Sequence, residues 1–354
     1  MSRIIAAISM GCPAGIGAEV ALAALADGAL DLHGVVFGDH RLLVERAPLV
    51  GVDPRRLVSI EHARAAASLP DGAIATLQIG APLDEITRRP GVSTRHGGAA
   101  QLAWIDAACD AVVRGDADVL VTAPASKEAI AHAYDDGVPG ADSQIVAQAR
   151  AFRGHTEHLG ARLGALATVM AFVADVLTIT LVTTHLPLAA VARSLSVESV
   201  ADAAYWTARL VDDLAIDRVL AVAVLALNPH AGERGLLGDE ERTTIAPGIA
   251  AASARLRAEG RTRTLVGPLP AEAAIRQTAR EQRYAACVAM YHDQATIPSK
   301  LLGFGDAVNV TLGLPIVRTS VDHGTAYDLA GTGRANPAGM RAALALAAKL
   351  VVRG

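Results

Sequence analysis

Runs of small and β-branched apolar residues recur along this chain, and each stops at a polar or glycine-rich loop. Ile4–Met10, Val119–Thr122, Val176–Thr183, Val219–Leu227 and Ala285–Tyr291 are apolar nearly throughout. A strand with no polar face is buried on both sides, the condition of a parallel sheet covered by helices. Helical segments fall between such runs, at Ala18–Leu25, Gly98–Arg114, Ser196–Leu214, Gly238–Arg257 and Ala338–Val352. This alternation predicts an α/β fold with largely parallel sheets. At 354 residues the chain exceeds a typical domain, so two α/β lobes are expected. The turn-rich segment Asp136–Gly140 marks the expected crossing, with residues 1–137 and 310–354 in a first lobe. Residues 138–309 form the second, which carries most of the candidate ligands.

Composition excludes several classes. Hydrophobic residues make up 52% and aromatics only 3%, so the core is aliphatic and offers little on which bases could stack. A net charge of -4 without a long basic run argues against nucleic acid. Cys12, Cys109 and Cys287 are odd in number and widely spaced, which predicts no disulfide framework and fits a reducing cytoplasm. The N-terminus lacks the pattern of a signal peptide. Leu163–Thr184 is broken by Asp175 and reads as two core strands, because a membrane span wants about 20 apolar residues. A soluble, cytoplasmic protein is expected.

The densest chemistry lies between Tyr291 and Asp328. Tyr291-His292-Asp293-Gln294 follows an apolar strand, and in open α/β sheets ligands lie beyond the carboxyl ends of strands. Lys300, Asn309 and Arg318 then recur at nine-residue intervals. An ammonium, an amide and a guanidinium at strand ends suit an anionic substrate; unrelated surface polars are the alternative. His185, His230 and His292 share one context, each following an apolar strand. A lone histidine there is ordinarily a core or loop residue. Three in matched settings point to one divalent ion with open coordination positions, in a tertiary site that subunits could share. The opening loop, Gly11-Cys12-Pro13-Ala14-Gly15-Ile16-Gly17, joins a strand to a helix as anion-binding loops do, but a tight turn fits equally well. Its spacing is not that of a dinucleotide fingerprint. Ser126 reads as an N-cap, and Lys127 in the next turn is unfavourable for the helix dipole without an anionic partner. A ligand role and a solvated lysine both remain open for it.

Nearly end to end, the chain resembles the bacterial 4-hydroxythreonine-4-phosphate dehydrogenases of pyridoxine biosynthesis. The matching motifs run in order from G-C-P-A-G-I-G through V-T-A-P-A-S-K, G-H-T-E, T-T-H-L-P-L, L-N-P-H-A-G-E, G-P-L-P-A-E and Y-H-D-Q. They end at N-V-T-L-G-L-P-I-V-R-T-S-V-D-H-G-T-A-Y-D-L-A-G-T-G. The resemblance implies two α/β/α lobes with a cleft between them, as in isocitrate and isopropylmalate dehydrogenases, in a homodimer. It implies that His185, His230 and His292 hold zinc, magnesium or cobalt, with ligands from both subunits. His155, Thr156, Lys300, Asn309 and Arg318 would contact the substrate. The cofactor would be NAD or NADP, held by residues the motifs do not assign.

The implied reaction oxidises 4-phosphooxy-L-threonine at C3, with decarboxylation to 3-amino-2-oxopropyl phosphate. By residue type His155 is the expected proton-transfer group. Asp293 would act as a base, orient a metal-ligating imidazole, or simply cap its helix. Two departures from the family pattern stand out: Cys12 replaces a common acidic residue, and Arg234-Gly235-Leu236-Leu237 replaces a Gly/His-rich run. Either could alter the cleft rim and substrate preference. The alternatives are a dehydrogenase of 4-phospho-D-threonate or 4-phospho-D-erythronate, and a catalytically silent binding protein on the same scaffold.

Overall fold

The computed structural model describes residues 3–135, 142–217, 219–303 and 307–351. The chain divides into two compact α/β units, Met1–Ala165 with Leu314–Val352, and Leu166–Gly313. The crossing expected at Asp136–Gly140 lies outside the described residues, and residues up to Ala165 belong with the first unit instead of the second. Packing explains the difference. Ala149, Phe152 and Leu159 join one apolar core with Leu102, Ile105 and Cys109 of the helix Arg95–Val113. Burying a side chain such as Phe152 contributes about 1.5–3 kcal/mol, so these helices follow the core that accepts them.

In the first unit, six strands make a parallel sheet: β1 (Ile4–Ser9), β2 (Leu32–Gly38), β3 (Leu57–Ser59), β4 (Ile74–Gln78), β5 (Val119–Thr122) and, from the far end of the chain, β12 (Arg318–Val321). Their order is β3-β4-β2-β1-β5-β12. β5 is buried along its whole length, as its lack of polar alternation requires. The second unit holds β6 (Val169–Val173), β7 (Thr178–Leu181), β8 (Ala221–Leu225), β9 (Leu265–Leu269), β10 (Tyr284–Ala289) and β11 (Val308–Leu312). Their order is β11-β6-β7-β10-β8-β9, and β6 runs antiparallel to both its neighbours. Gly267–Leu269 lies in the edge strand β9, and the helix Ala271–Glu281 starts directly after it. An edge tolerates Pro268 because one side of the strand needs no N–H donor.

Helix starts follow their caps. Thr94 accepts from Gly97 N, Ser126 from Ala129 N, and Ser196 and Ser199 form a reciprocal capping box. Two glycines permit close backbone approaches. A Cβ at Gly11, where φ is +77°, would lie 2.4 Å from the Pro124 carbonyl oxygen; one at Gly98 would lie 1.9 Å from that of Ala129. Gly98 therefore seats the helix Lys127–Ala131 directly on the helix Arg95–Val113. Among the described residues, no helix is long and apolar enough to cross a membrane.

Candidate active site

In the first unit the site grows from the end of β5. The Ser126 N–H donates to Oε1 of fully buried Gln101 at 2.7 Å, which fixes the turn that starts the next helix at Lys127. Beside β5, Arg318 opens β12 opposite Leu120, and its NH2 donates to Thr122 Oγ1 at 2.5 Å. Arg318 is only 2% exposed. Burial pushes its guanidinium down to about 9, opposed by Glu157, so it stays charged at neutral pH.

The helix His155–Arg162 begins at Gly154, which supplies no side-chain cap. A Cβ at Gly154 would lie 2.8 Å from Glu157 Oε2 and 3.7 Å from Lys127 Nζ. Further along, the helix is pinned to Arg95–Val113. Arg162 pairs with Asp110 at 2.7 Å and Asp106 at 3.2 Å, and His158 Nε2 lies 2.6 Å from Asp106. His155 packs edge-on against Phe152, with 5.9 Å between ring centroids, and its buried Nε2 has no hydrogen-bond partner among the described residues. Burial first, then the positive fields of Arg318, His158 and Lys127, hold the imidazole well below its usual pKa. At neutral pH it is uncharged and can accept a proton.

In the second unit, His185 follows β7 and His292 starts the helix His292–Leu302 after β10. Their ring centroids are 5.6 Å apart. Nδ1 of His292 lies 2.7 Å from Asp293 Oδ1, which leaves Nε2 for other work. His230 follows β8 in a segment of left-handed backbone, with φ of 53° at His230, 55° at Ala231, 44° at Glu233 and 59° at Arg234. Non-glycine residues persist in that region only where their surroundings hold them. Buried Glu241 anchors the stretch that leads into it, accepting from Leu227 N at 2.9 Å, Asn228 N at 2.7 Å and Asn228 Nδ2 at 3.0 Å.

Two of the three expected imidazoles thus meet within one chain. Among the described residues, no three His, Cys, Asp or Glu side chains of this chain gather as a metal site. The paired rings, one oriented by a carboxylate, suit a divalent ion that draws further donors from elsewhere.

The series Lys300, Asn309, Arg318 is divided between the units. Lys300 is exposed in the last turn of His292–Leu302, and Asn309 lies in β11 with its Oδ1 buried and without a hydrogen-bond partner among the described residues. Arg318, His155 and Thr156 belong to the first unit. The opening loop is a tight turn. Three of its amides are tied into the fold, Cys12 N donating to Pro124 O, Gly15 N to Cys12 O and Ile16 N to Thr325 O. Cys12 is 1% exposed, with its thiol 3.4 Å from Ser93 Oγ and 3.6 Å from the Tyr327 hydroxyl. It therefore acts through packing and not as part of an exposed rim.

Sequence reasoning missed Gln101, Asp106 and Thr122. Gln101, a polar residue inside an apolar helical stretch, did carry a signal. A cavity of about 230 Å³ at the amino ends of β2 and β4, lined by Arg3, His33 and Asp71 among others, contains none of the candidate residues. It lies at the opposite end of a parallel sheet from where ligands bind.

An α/β fold with imidazoles and a buried guanidinium at its strand ends has the make-up of an enzyme for small anionic metabolites. The chain belongs to the pyridoxal phosphate biosynthetic protein PdxA family, whose model matches residues 31–347. A 4-hydroxythreonine-4-phosphate dehydrogenase of Trichlorobacter lovleyi is 40% identical over 347 residues, covering 97% of this chain and 96% of that protein. The crystal structure of the Klebsiella pneumoniae 4-hydroxythreonine-4-phosphate dehydrogenase superposes with a TM-score of 0.79 at 34% identity, covering 99% of this chain and 98% of that one. A terephthalate 1,2-cis-dihydrodiol dehydrogenase from Burkholderia xenovorans follows at a TM-score of 0.62 and 27% identity, with 98% of both chains covered. The protein is an enzyme with the isocitrate dehydrogenase-like fold of its family.

Proposed function

We propose that this enzyme oxidises 4-phosphooxy-L-threonine at C3 with NAD or NADP, and that the resulting β-keto acid loses CO2 to give 3-amino-2-oxopropyl phosphate. The observation that carries this reading is the grouping of neutral His155 with Thr156 and the buried, charged Arg318 in the first unit. Arg318, Lys300 and Asn309 hold the phosphate and carboxylate of the substrate, and Thr156 is a further contact. His155 takes the proton of the C3 hydroxyl as the C3 hydride departs, which its uncharged state permits. Asp293 orients His292 through the 2.7 Å contact at Nδ1.

A bound divalent metal, zinc, magnesium or cobalt, would supply Lewis-acid stabilisation of charge on the C3 oxygen and during decarboxylation. His185 and His292 would hold it with His230, the ligands coming from both subunits of a homodimer. Bound NAD or NADP would serve as the hydride acceptor.

The test uses metal-stripped protein with 4-phosphooxy-L-threonine, single divalent metals added back, and NAD or NADP in turn. Growth of reduced-nicotinamide absorbance with at least one metal is expected, together with 3-amino-2-oxopropyl phosphate among the products. Oxidation of 4-phospho-D-threonate or 4-phospho-D-erythronate in its place would move the assignment to those substrates. Silence with all three would remove the dehydrogenase reading altogether.

A further inference from the structure

We propose that Lys127 is a phosphate ligand of this active site, completing the anion cradle that His155, Thr156 and Arg318 begin. The inference rests on the functional reading above and adds a residue to it. Three placements carry it.

First, Lys127 is the first residue of its helix, where the dipole repels a cation, and among the described residues no carboxylate pairs with it. A bound anion would remove that conflict.

Second, its position is held from behind. Ser126 caps the helix and is tied to buried Gln101, and Gly98 lets the Ala129 carbonyl settle against Arg95–Val113. A solvated lysine needs no such seating.

Third, the exposed side chain turns toward the start of the helix His155–Arg162. Its Nζ comes 3.7 Å from where a Cβ on Gly154 would stand. Glu157 Oε2 lies 2.8 Å from the same point, and the space fronts a helix N-terminus with no side-chain cap. Lys127 and Arg318 both act on His155 there, while Glu157 is the carboxylate acting on Arg318. This sets two cations, Lys127 and Arg318, around His155 with the Glu157 carboxylate nearby. A tetrahedral phosphate suits this set, since Lys supplies a point charge from one side and Arg a planar fork from another.

The experiment compares wild type with Lys127→Ala and Lys127→Arg in two readouts. In the first, inorganic phosphate or acetate is added to metal-free protein and the shift in Tm is recorded. Phosphate is expected to raise the Tm of wild type, to have little effect on Lys127→Ala, and to act partly on Lys127→Arg. In the second, KM for 4-phosphooxy-L-threonine is expected to rise about 10- to 100-fold in Lys127→Ala, the loss of one charge-assisted contact, with kcat changed much less. Equal phosphate shifts in wild type and Lys127→Ala, or an unchanged KM, would overturn the proposal. The side chain is exposed, so the ligand-free Tm should match wild type, and a large drop would make Lys127 a structural residue. An inactive wild type that keeps a Lys127-dependent phosphate shift would sink the functional reading and leave this one standing.

Discussion

Nδ1 of His292 lies 2.7 Å from Oδ1 of Asp293, its neighbour in the chain. A carboxylate on one ring nitrogen fixes the tautomer that leaves the other free to ligate, and it increases the basicity of that nitrogen. Asp293→Ala should therefore weaken metal binding about 10- to 100-fold without unfolding the exposed helix start. Competitive titration against a metallochromic chelator measures this. Wild-type affinity in the variant would reduce Asp293 to a first-turn residue of its helix.

His155 links stability to pH. Its pKa in the folded protein is depressed well below the usual 6.5, so the unfolded chain binds more protons in the window below 6.5. Stability from this group is fully present above that window and is lost as pH falls through it, at up to about 1.4 kcal/mol per pH unit. His155→Gln should flatten the acid limb of urea unfolding curves relative to wild type. Parallel curves would mean that the imidazole is not held neutral by its surroundings.

The same imidazole should respond to ligand. A phosphate beside Lys127 and Arg318 would offset the positive fields that depress His155, so its pKa should rise on binding. NMR titration of the ring in metal-free protein, with and without phosphate, reads this directly. A fall, or no change at saturating phosphate, would place the anion elsewhere.

Glu19 is fully buried on the helix Gly17–Ala26, and its carboxylate accepts from Gly331 N at 2.6 Å and Gly333 N at 3.1 Å. Removing it strands two amides and withdraws a negative charge that steadies the buried Arg46. Glu19→Ala should cost about 3 kcal/mol in urea unfolding, and Glu19→Gln less, because its amide oxygen still accepts one bond. A loss within about 0.5 kcal/mol would be the size of a surface change and would contradict this account.

Gly98→Ala tests the seat of the Lys127 helix. The added methyl meets a backbone oxygen at 1.9 Å, so helices must separate. Overpacking of this kind costs about 1–3 kcal/mol, partly offset by the better helix propensity of Ala. The expected result is a modest loss of stability with a raised KM, as Lys127 moves away from Gly154. Unchanged KM beside lowered stability would separate the two helices' packing from substrate binding.

What could be read from the sequence follows from how far apart the interacting residues are. β1, β5, β8 and β10 were legible because a doubly buried strand must be apolar along its length, and the caps at Ser126 and Ser196 because capping is local. The strand-end setting of His185 and His292 was legible for the same reason. Their 5.6 Å approach was not, since it depends on β7 and β10 lying side by side. The ties from Glu19 to Gly331, Gln101 to Ser126 and His158 to Asp106 join segments remote in sequence, and no local pattern announces them. The unit boundary moved for a related reason: nothing local to Phe152 and Leu159 tells which core receives them.

β12 returns from the far end of the chain to pair with β5, bringing Arg318 into the first unit. A ribosome making this protein therefore emits Val119–Thr122 long before the strand that covers its outer side exists. Until then β5 presents an unpaired edge of apolar backbone, the kind of template on which nascent chains stick to one another. Productive folding of the first unit must wait until β12 has been made, and a premature stop after β11 would discard the guanidinium together with the strand that shields its neighbour.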